Sequence, residues 1–339
     1  MKRVPLLEAV SDVSGGNRKI LQSDFLPEGP LAVVDQGRSQ IAGYTYDTSA
    51  SVKANGPVIV FGDHTRAIKF VDFPFAMGAD GVKVLQVREG FDPKFVYHYL
   101  SSRELPSAGY SRHFKFLKQV EVPQPHIEEQ RRIAALLDHA DALRAKRRQV
   151  LAHLDVLTQS IFNFMFGSRE FKSLPLGAVA SWSSGKFLPA KSQAGGSVPV
   201  YGGNGVNGFH DEIMFGEKRL IVGRVGANCG AVHLTQPGCW VTDNALVASL
   251  KREDVDLEFL KQALIQANLN QYANVSGQPS ISGGRIGDVQ ITVPPLELQR
   301  AFAARVVELS DQKRRVAAVL GIDNELFASL QSRAFKGEL

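Results

Sequence analysis

The chain has 339 residues, 44% of them hydrophobic and 22% charged, which is enough apolar material for two domains of ordinary size and too ordinary a charge content for a disordered chain. Its formal net charge of +5 suits a polyanionic partner without demanding one. No stretch reaches the ~18 apolar residues of a membrane span, Met1–Pro5 lacks the apolar run of a secretory signal, and Cys229 and Cys239 lack the Cys-x-x-Cys spacing of a zinc ribbon; a cytoplasmic protein with reduced thiols is expected, a local disulfide being the alternative.

Taken in chain order, residues 1–122 mix strands, turns and short helices. Strand-like runs fall at Leu31–Asp35, Pro57–Phe61 and Val82–Val87, and a short helix at Pro93–Ser101. Residues 123–167 then form one long helix. It starts after Pro123 and Pro125, and no Pro or Gly interrupts it before Gly167. Apolar residues at Ile133, Leu136, Ala140, Leu143, Val150, Leu154, Leu157, Ile161 and Phe164 make a heptad seam broken at Arg147. A helix of ~40 residues is ~60 Å long, so it needs another helix beside it. Residues 168–292 return to strands, at Leu220–Val225 and Ala245–Leu250, with a short helix at Leu257–Ala267. Residues 293–339 form the second long helix, with Phe302, Val306, Leu309, Val316, Leu320, Phe327 and Leu330 as its seam.

The chain also repeats itself. Placing Pro125 on Pro294 puts Glu128 on Glu297, Gln130 on Gln299, Arg131 on Arg300, Val150-Leu151 on Val319-Leu320 and Phe166 on Phe335, without a gap. Upstream the match is looser, with Val4-Pro5-Leu6 against Leu174-Pro175-Leu176. The fold class expected is therefore α+β: two α/β domains, each followed by a long helix, the helices returning on each other as an intramolecular antiparallel coiled coil.

Loops between strands are where recognition residues sit. In the first domain the candidates are Arg38, His64, Thr65, Arg66, Lys69, Ser111, Arg112, His113 and Lys115. In the second they are Lys186, Tyr201, Asn204, Asn207, His210, Arg224, Asn228, Ser276, Gln278, Ser280 and Arg285. Arg and Lys suit guanine edges and phosphates, Asn and Gln suit adenine, and Tyr can contact thymine methyls or stack. The basic runs Arg144–Arg148 and Lys313–Arg315 read as a solvated helix face, or alternatively as phosphate or partner contacts.

Catalytic motifs fail on context. Gly203-Asn-Gly-Val-Asn-Gly208 spells a dinucleotide fingerprint, but no amphipathic helix opens at Gly208. Ser184-Gly185-Lys186 suggests a phosphate loop, but Ala180 and Phe187 occupy positions that need Gly and Ser/Thr. The histidines lack metal-ligand spacing, so no metal site is expected.

The two junctions, Val122-Pro-Gln-Pro-His-Ile-Glu-Glu-Gln-Arg-Arg-Ile-Ala134 and Val293-Pro-Pro-Leu-Glu-Leu-Gln-Arg300, carry a resemblance. So do the helix ends at Phe166-Gly167 and Ala334–Leu339, the domain starts at Pro5-Leu6 and Pro175-Leu176, and Tyr201-Gly-Gly-Asn-Gly. With these motifs the chain resembles the specificity subunit of type I restriction-modification systems over its full length. That resemblance implies two target recognition domains, each reading one half of a bipartite, asymmetric site on double-stranded DNA. It implies that the helices set the spacing and dock two modification (adenine methyltransferase) subunits, with Gln130, Arg131, Gln299 and Arg300 as candidate docking residues. Restriction (translocase/nuclease) subunits would join them. The chain itself would be non-catalytic and hold no cofactor, while S-adenosylmethionine, ATP and Mg would belong to the partners. The alternatives are a diverged DNA methyltransferase or nuclease with its own active site, and a coiled-coil scaffold that binds no DNA.

Overall fold

The computed structural model describes residues 2–79, 81–106, 109, 111–167, 169–193 and 195–339. It divides into two compact units, one of Met1–Arg148 with Ala318–Leu339, the other of Gln149–Ala317. The division cuts through both long helices, so each unit owns half of each.

In the first unit a four-stranded antiparallel sheet has the order β2 (Val10–Asp12), β9 (Val82–Val87), β6 (Val58–Gly62), β7 (Ile68–Val71). A second sheet runs β3 (Lys19–Ile20), β8 (Phe75–Gly78), β4 (Leu31–Val34), β5 (Gly43–Thr45), with β8 parallel to both β3 and β4. The unbroken apolar strands β4 and β6 are buried along their whole length, whereas β7 alternates, as expected of central and flanking strands. β1 (Arg3–Pro5) pairs with β10 (Glu121–Pro123) and closes the domain at the point where the chain leaves it. Helix α1 (Leu6–Ala9) follows β1. Helix α2 (Pro93–Ser101) starts where expected because Asp92 caps it, accepting from Phe95 N at 2.9 Å, and Pro93 fits its first turn. A short turn of helix, α3 (Phe114–Leu117), precedes β10.

Helix α4 spans Ile127–Phe166, 40 residues, ~60 Å at 1.5 Å per residue. Its first half belongs to this unit, as does the last part of the final helix. There Ile133, Ala134 and Leu137 share one core with Phe95, Tyr99, Leu100, Ala334 and Phe335. The Phe335 ring meets Phe95 and Tyr99 edge-on at 5.6 and 5.0 Å.

The second unit repeats the scheme. β11 (Ser173–Pro175) pairs with β19 (Gln290–Thr292) as β1 does with β10, and α5 (Leu176–Val179) follows β11. One sheet runs β12 (Ala180–Ser184), β18 (Ala245–Leu250), β15 (Leu220–Gly223), β16 (Val232–Leu234), all antiparallel. The other runs β14 (Gly205–His210), β13 (Val198–Gly202), β17 (Trp240–Val241), with β13 and β17 parallel. Helix α6 (Leu257–Gln266) is capped by Asp256 as α2 is by Asp92. After α7 (Gly283–Gly287), helix α8 covers Leu296–Lys336. Cys229 and Cys239 are free and buried, and burial pushes both thiols above their ordinary value.

Within each unit the helix halves run antiparallel. In the first, Arg144 donates to Asn324 at 2.8 Å, lies over the Phe327 ring at 4.1 Å, and Arg147 pairs with Asp323. In the second, Lys313 pairs with Asp155 and Phe162 meets Phe302 at 5.5 Å. The expected α8 seam is the inward one, Phe302 and Val306 being buried and Leu309, Val316, Leu320, Phe327 and Leu330 partly so. On α4 the expected seam is off by one residue at alternate positions. The inward line is Ile133, Leu137, Ala140, Arg144, Arg147, Leu151, Leu154, Thr158, Ile161 and Met165. Leu136, Leu143, Val150 and Leu157 are instead 39–44% exposed and Phe164 is 82% exposed. The inward line accepts two arginines because α8 offers each of them a partner.

Candidate nucleic-acid interface

In the first unit the recognition candidates gather around Asp63, at the end of β6. The buried Asp63 carboxylate accepts from Phe114 N at 2.7 Å, its carbonyl accepts from His113 N at 2.9 Å, and its own N–H donates to Gly81 O at 2.6 Å. Three loops, around residues 63–66, 81 and 111–114, are thereby tied to one residue. A fourth joins them: Gln36 accepts from His64 N at 3.3 Å through its side chain, and its carbonyl accepts from the Thr65 hydroxyl. Gly62 makes this closeness available, since a Cβ there would lie 2.3 Å from Thr65 Oγ1 and 2.6 Å from Gln36 O.

Arg38, Thr65, Arg66, Arg112 and Lys115 reach this surface exposed, and His64 and Ser111 are partly covered. Lys69 and His113 are interior, at 4% and 2% exposure, and leave the set of candidate DNA contacts. Lys69 Nζ donates to Asp35 O at 2.8 Å and lies 3.4 Å from Asp35 Oδ1. Burial pushes its ammonium below the ordinary lysine value in spite of Asp35. It holds the loop that presents Arg38, and His113, with Nδ1 2.9 Å from Asp63 O, holds the hub. Arg103, Lys83 and Lys118 were not anticipated. Arg103 lines a cleft with Arg38 and Arg66, while Lys83 and Lys118 both stand 5.0 Å from the Phe114 ring centre. Each lies outside the turn motifs, so local sequence carries no signal for them beyond charge.

In the second unit the turn between β13 and β14 carries Asn204 and approaches the chain at Gly223 and Asn244. Arg224 anchors that region. It donates through Nη1 to Ser184 Oγ at 3.1 Å and Asp243 O at 3.3 Å, its N–H donates to Asn244 O at 2.9 Å, and its carbonyl accepts from Ile281 N at 2.8 Å. Gly226 N donates to Pro279 O at 2.9 Å. The loops bearing Asn204, Arg224, Asn228, Gln278 and Ser280 therefore meet. Lys186 is tied to β17, its N–H donating to Val241 O at 3.0 Å and its carbonyl accepting from Trp240 Nε1 at 3.3 Å. Asn207 and His210 lie further along β14, with the His210 ring 5.2 Å from Trp240. Ser276 bonds Asn274 within its own loop, and Arg285, on α7, donates to Tyr272 O. Tyr201 is buried at 5%, its hydroxyl accepting from Gln236 N at 3.0 Å, so it too leaves the set of contacts. The Gly203–Gly208 stretch is a hairpin turn leading into a strand, which accounts for its failure as a nucleotide fingerprint.

The docking candidates divide. Arg131 and Arg300 are exposed, Arg131 pairing with Glu128 at 2.8 Å. Gln130 and Gln299 are fully buried, so neither faces a partner. Gln130 accepts from Asp92 N at 2.9 Å and donates to Gly90 O at 3.0 Å and Pro125 O at 2.9 Å. Gln299 accepts from Asp256 N at 2.9 Å and donates to Asp254 O at 3.0 Å and Pro294 O at 2.7 Å. The same three-bond clamp thus ties each α/β domain, at the cap of α2 or α6, to the helix that follows it.

Comparison with known proteins places this doubled arrangement. Residues 169–315 match the family of the type I restriction modification DNA specificity domain. The specificity subunit of the type I restriction enzyme EcoprrI from Escherichia coli is 27% identical over 195 residues, 54% of this chain and 48% of that protein. That of EcoR124I/EcoR124II, from the same organism, is 28% identical over 204 residues, 52% of this chain and 48% of that protein. The matches therefore span about half the length of either relative. The type I restriction-modification S subunit from M. genitalium has the same fold across 98% of this chain and 96% of its own, with a TM-score of 0.73 at 17% identity. A chain from a study of complex assembly and conformational transition of the type I R-M system matches with a TM-score of 0.53 at 17% identity, over 100% of this chain and 98% of its own. The resemblance to type I specificity subunits and the α+β fold class both stand.

Proposed function

We propose that this chain is the DNA sequence-recognition subunit of a cytoplasmic type I restriction-modification complex. Each unit reads one half of a bipartite, asymmetric target on double-stranded DNA, and the two long helices set the spacing and dock two modification subunits. The chain catalyses nothing itself. S-adenosylmethionine for adenine methylation, and ATP and Mg for restriction subunits, belong to the partners.

The observation that carries this reading is the contrast between frame and loops. The order of the four-stranded antiparallel sheet, the strand clasps, the helix caps and the glutamine clamp recur in both units. The converging loops do not: Arg38, Arg66, Arg103 and Lys115 dominate one, and Asn204, Arg224, Asn228 and Gln278 the other. A duplicated frame with unlike readers suits two different half-sites about one helical turn, ~34 Å, apart or at multiples of it. Among the described residues no helix is long and apolar enough to cross a membrane.

The test is to assemble the chain with its modification subunits, methylate genomic DNA and map the modified adenines. A motif of two unlike half-sites separated by a fixed gap is expected. A palindromic or uninterrupted motif would overturn the two-reader reading, and absence of methylation that depends on this chain would overturn the assignment as a whole.

A further inference from the structure

Arg38, Arg66 and Arg103 line one cleft of about 460 Å³ in the first unit, together with Thr65, Glu104 and Leu105. They come from three separate segments: the loop after β4, the turn after β6 and the residues following α2. The partners they have are neutral. Arg66 Nη1 donates to Leu105 O at 3.0 Å. Arg103 donates from Nε and Nη2 to Ser102 Oγ at 3.3 Å, its guanidinium standing 4.9 Å from the Tyr99 ring centre.

Arg66 also has a backbone that arginine disfavours. Its φ is +62°, in the left-handed region where glycine or asparagine is usual. The turn is held there by Arg66 N donating to Gly62 O at 2.8 Å and by the Thr65 hydroxyl on Gln36 O. Strain kept at an exposed arginine, beside two other arginines, points to use of that side chain. A neutral base edge would leave three guanidiniums with only the Glu104 carboxylate to offset them in one concavity, whereas an anionic oxygen pair adds the missing negative charge and matches the planar guanidinium fork.

We infer that this cleft seats a backbone phosphate of the bound DNA, with Arg66 at its centre and Arg38 and Arg103 flanking it. The inference rests on the DNA reading above and deepens it: these arginines fix where the first unit stands on the duplex, and the reading of bases falls to other side chains.

The experiment uses the full chain assembled with its modification subunits, a duplex of random sequence and a duplex carrying the mapped motif, with affinity measured across a chloride series. Arg66→Gly is the informative variant, because glycine accepts the left-handed φ and the turn keeps its fold. Arg66→Gly and Arg103→Gln are each expected to lower the slope of log affinity against log salt by ~0.9 for each phosphate no longer neutralised. Each should also weaken binding by the same factor on both duplexes, and Arg66→Lys should keep most of the slope. Inorganic phosphate, exchanged for chloride at constant ionic strength, should leave the binding curve in place. Saturable displacement by phosphate that disappears in Arg66→Gly would assign the cleft to a free anion instead. Unchanged slopes in both variants, with normal binding by the parent complex, would overturn the cleft alone. A loss confined to the motif duplex would make these residues base readers and overturn it equally. A parent complex that binds neither duplex would overturn the DNA reading and this site with it.

Discussion

Replacing Gln299 by alanine removes three hydrogen bonds, one buried and two partly buried. Asp256 N–H loses its acceptor, and the carbonyls of Asp254 and Pro294 lose donors. An orphaned buried N–H costs ~1–3 kcal/mol and a buried carbonyl, with its second lone pair, somewhat less. The expected loss is therefore about 3 kcal/mol, with Gln299→Met a control that keeps the volume and loses only the bonds. Both tryptophans, Trp182 and Trp240, lie in the second unit, so tryptophan fluorescence in urea follows that unit. Hydrogen exchange at Asp256 N–H reports the same clamp locally. A shift below about 1 kcal/mol, with exchange at Asp256 unchanged, would refute the clamp and return Gln299 to the partner-facing role expected from sequence. Gln130→Ala should open the amide of Asp92 in the same way.

Two further outcomes follow from the core and its ionisable groups. Leu137→Ala should cost the first unit about 3 kcal/mol, since Leu137 is fully buried. Leu136→Ala, at 41% exposure, should cost under ~0.5 kcal/mol in the isolated chain; comparable losses on denaturation would mean the helix is turned the other way. Burial holds the His98 imidazole below its ordinary value, against the pull of Asp138, whose carboxylate is 2.7 Å from Nε2, and of Asp141. The unfolded chain then takes the proton first, so the first unit should be at full stability above about pH 6.5 and lose stability as pH falls below it. His98→Gln should flatten that profile when amide exchange of the unit is followed against pH, and an unaltered profile would show that another group carries it.

Much of the frame could be read from local chemistry. Asp92-Pro93 and Asp256 mark the starts of α2 and α6 because a capping carboxylate works in its own neighbourhood, and β9 and β18 show in their apolar runs. The α4 seam was not legible for two reasons. The helix carries apolar doublets at Leu136-Leu137, Val150-Leu151 and Phe164-Met165, and a seam drawn by spacing can take either member of each; at Leu143 and Leu157 the inward position belongs to the polar neighbour, Arg144 or Thr158. The choice is made from outside the helix, by Asp323, Asn324 and Phe327 receiving Arg147 and Arg144. The candidate site was legible as loops but not as a surface. Lys69, His113 and Tyr201 look like reachable polar residues until the fold buries them, and Arg103 joins Arg66 only through the packing of α2 beside β7. Identity between Gln130 and Gln299 was a true signal of importance, yet sequence alone does not say whether a glutamine kept in both copies faces a partner or the interior.

The way the units share the helices also bears on the order in which the molecule is completed during synthesis. The second unit is one uninterrupted stretch, Gln149–Ala317, and every part of it is available once residue 317 has left the ribosome. The first unit, although its domain is made earlier, still lacks Ala334 and Phe335, which fill the space against Phe95 and Tyr99. The domain translated first is therefore the last to be sealed, and until the final turns of α8 arrive it carries an open apolar face that a nascent chain must keep from its neighbours.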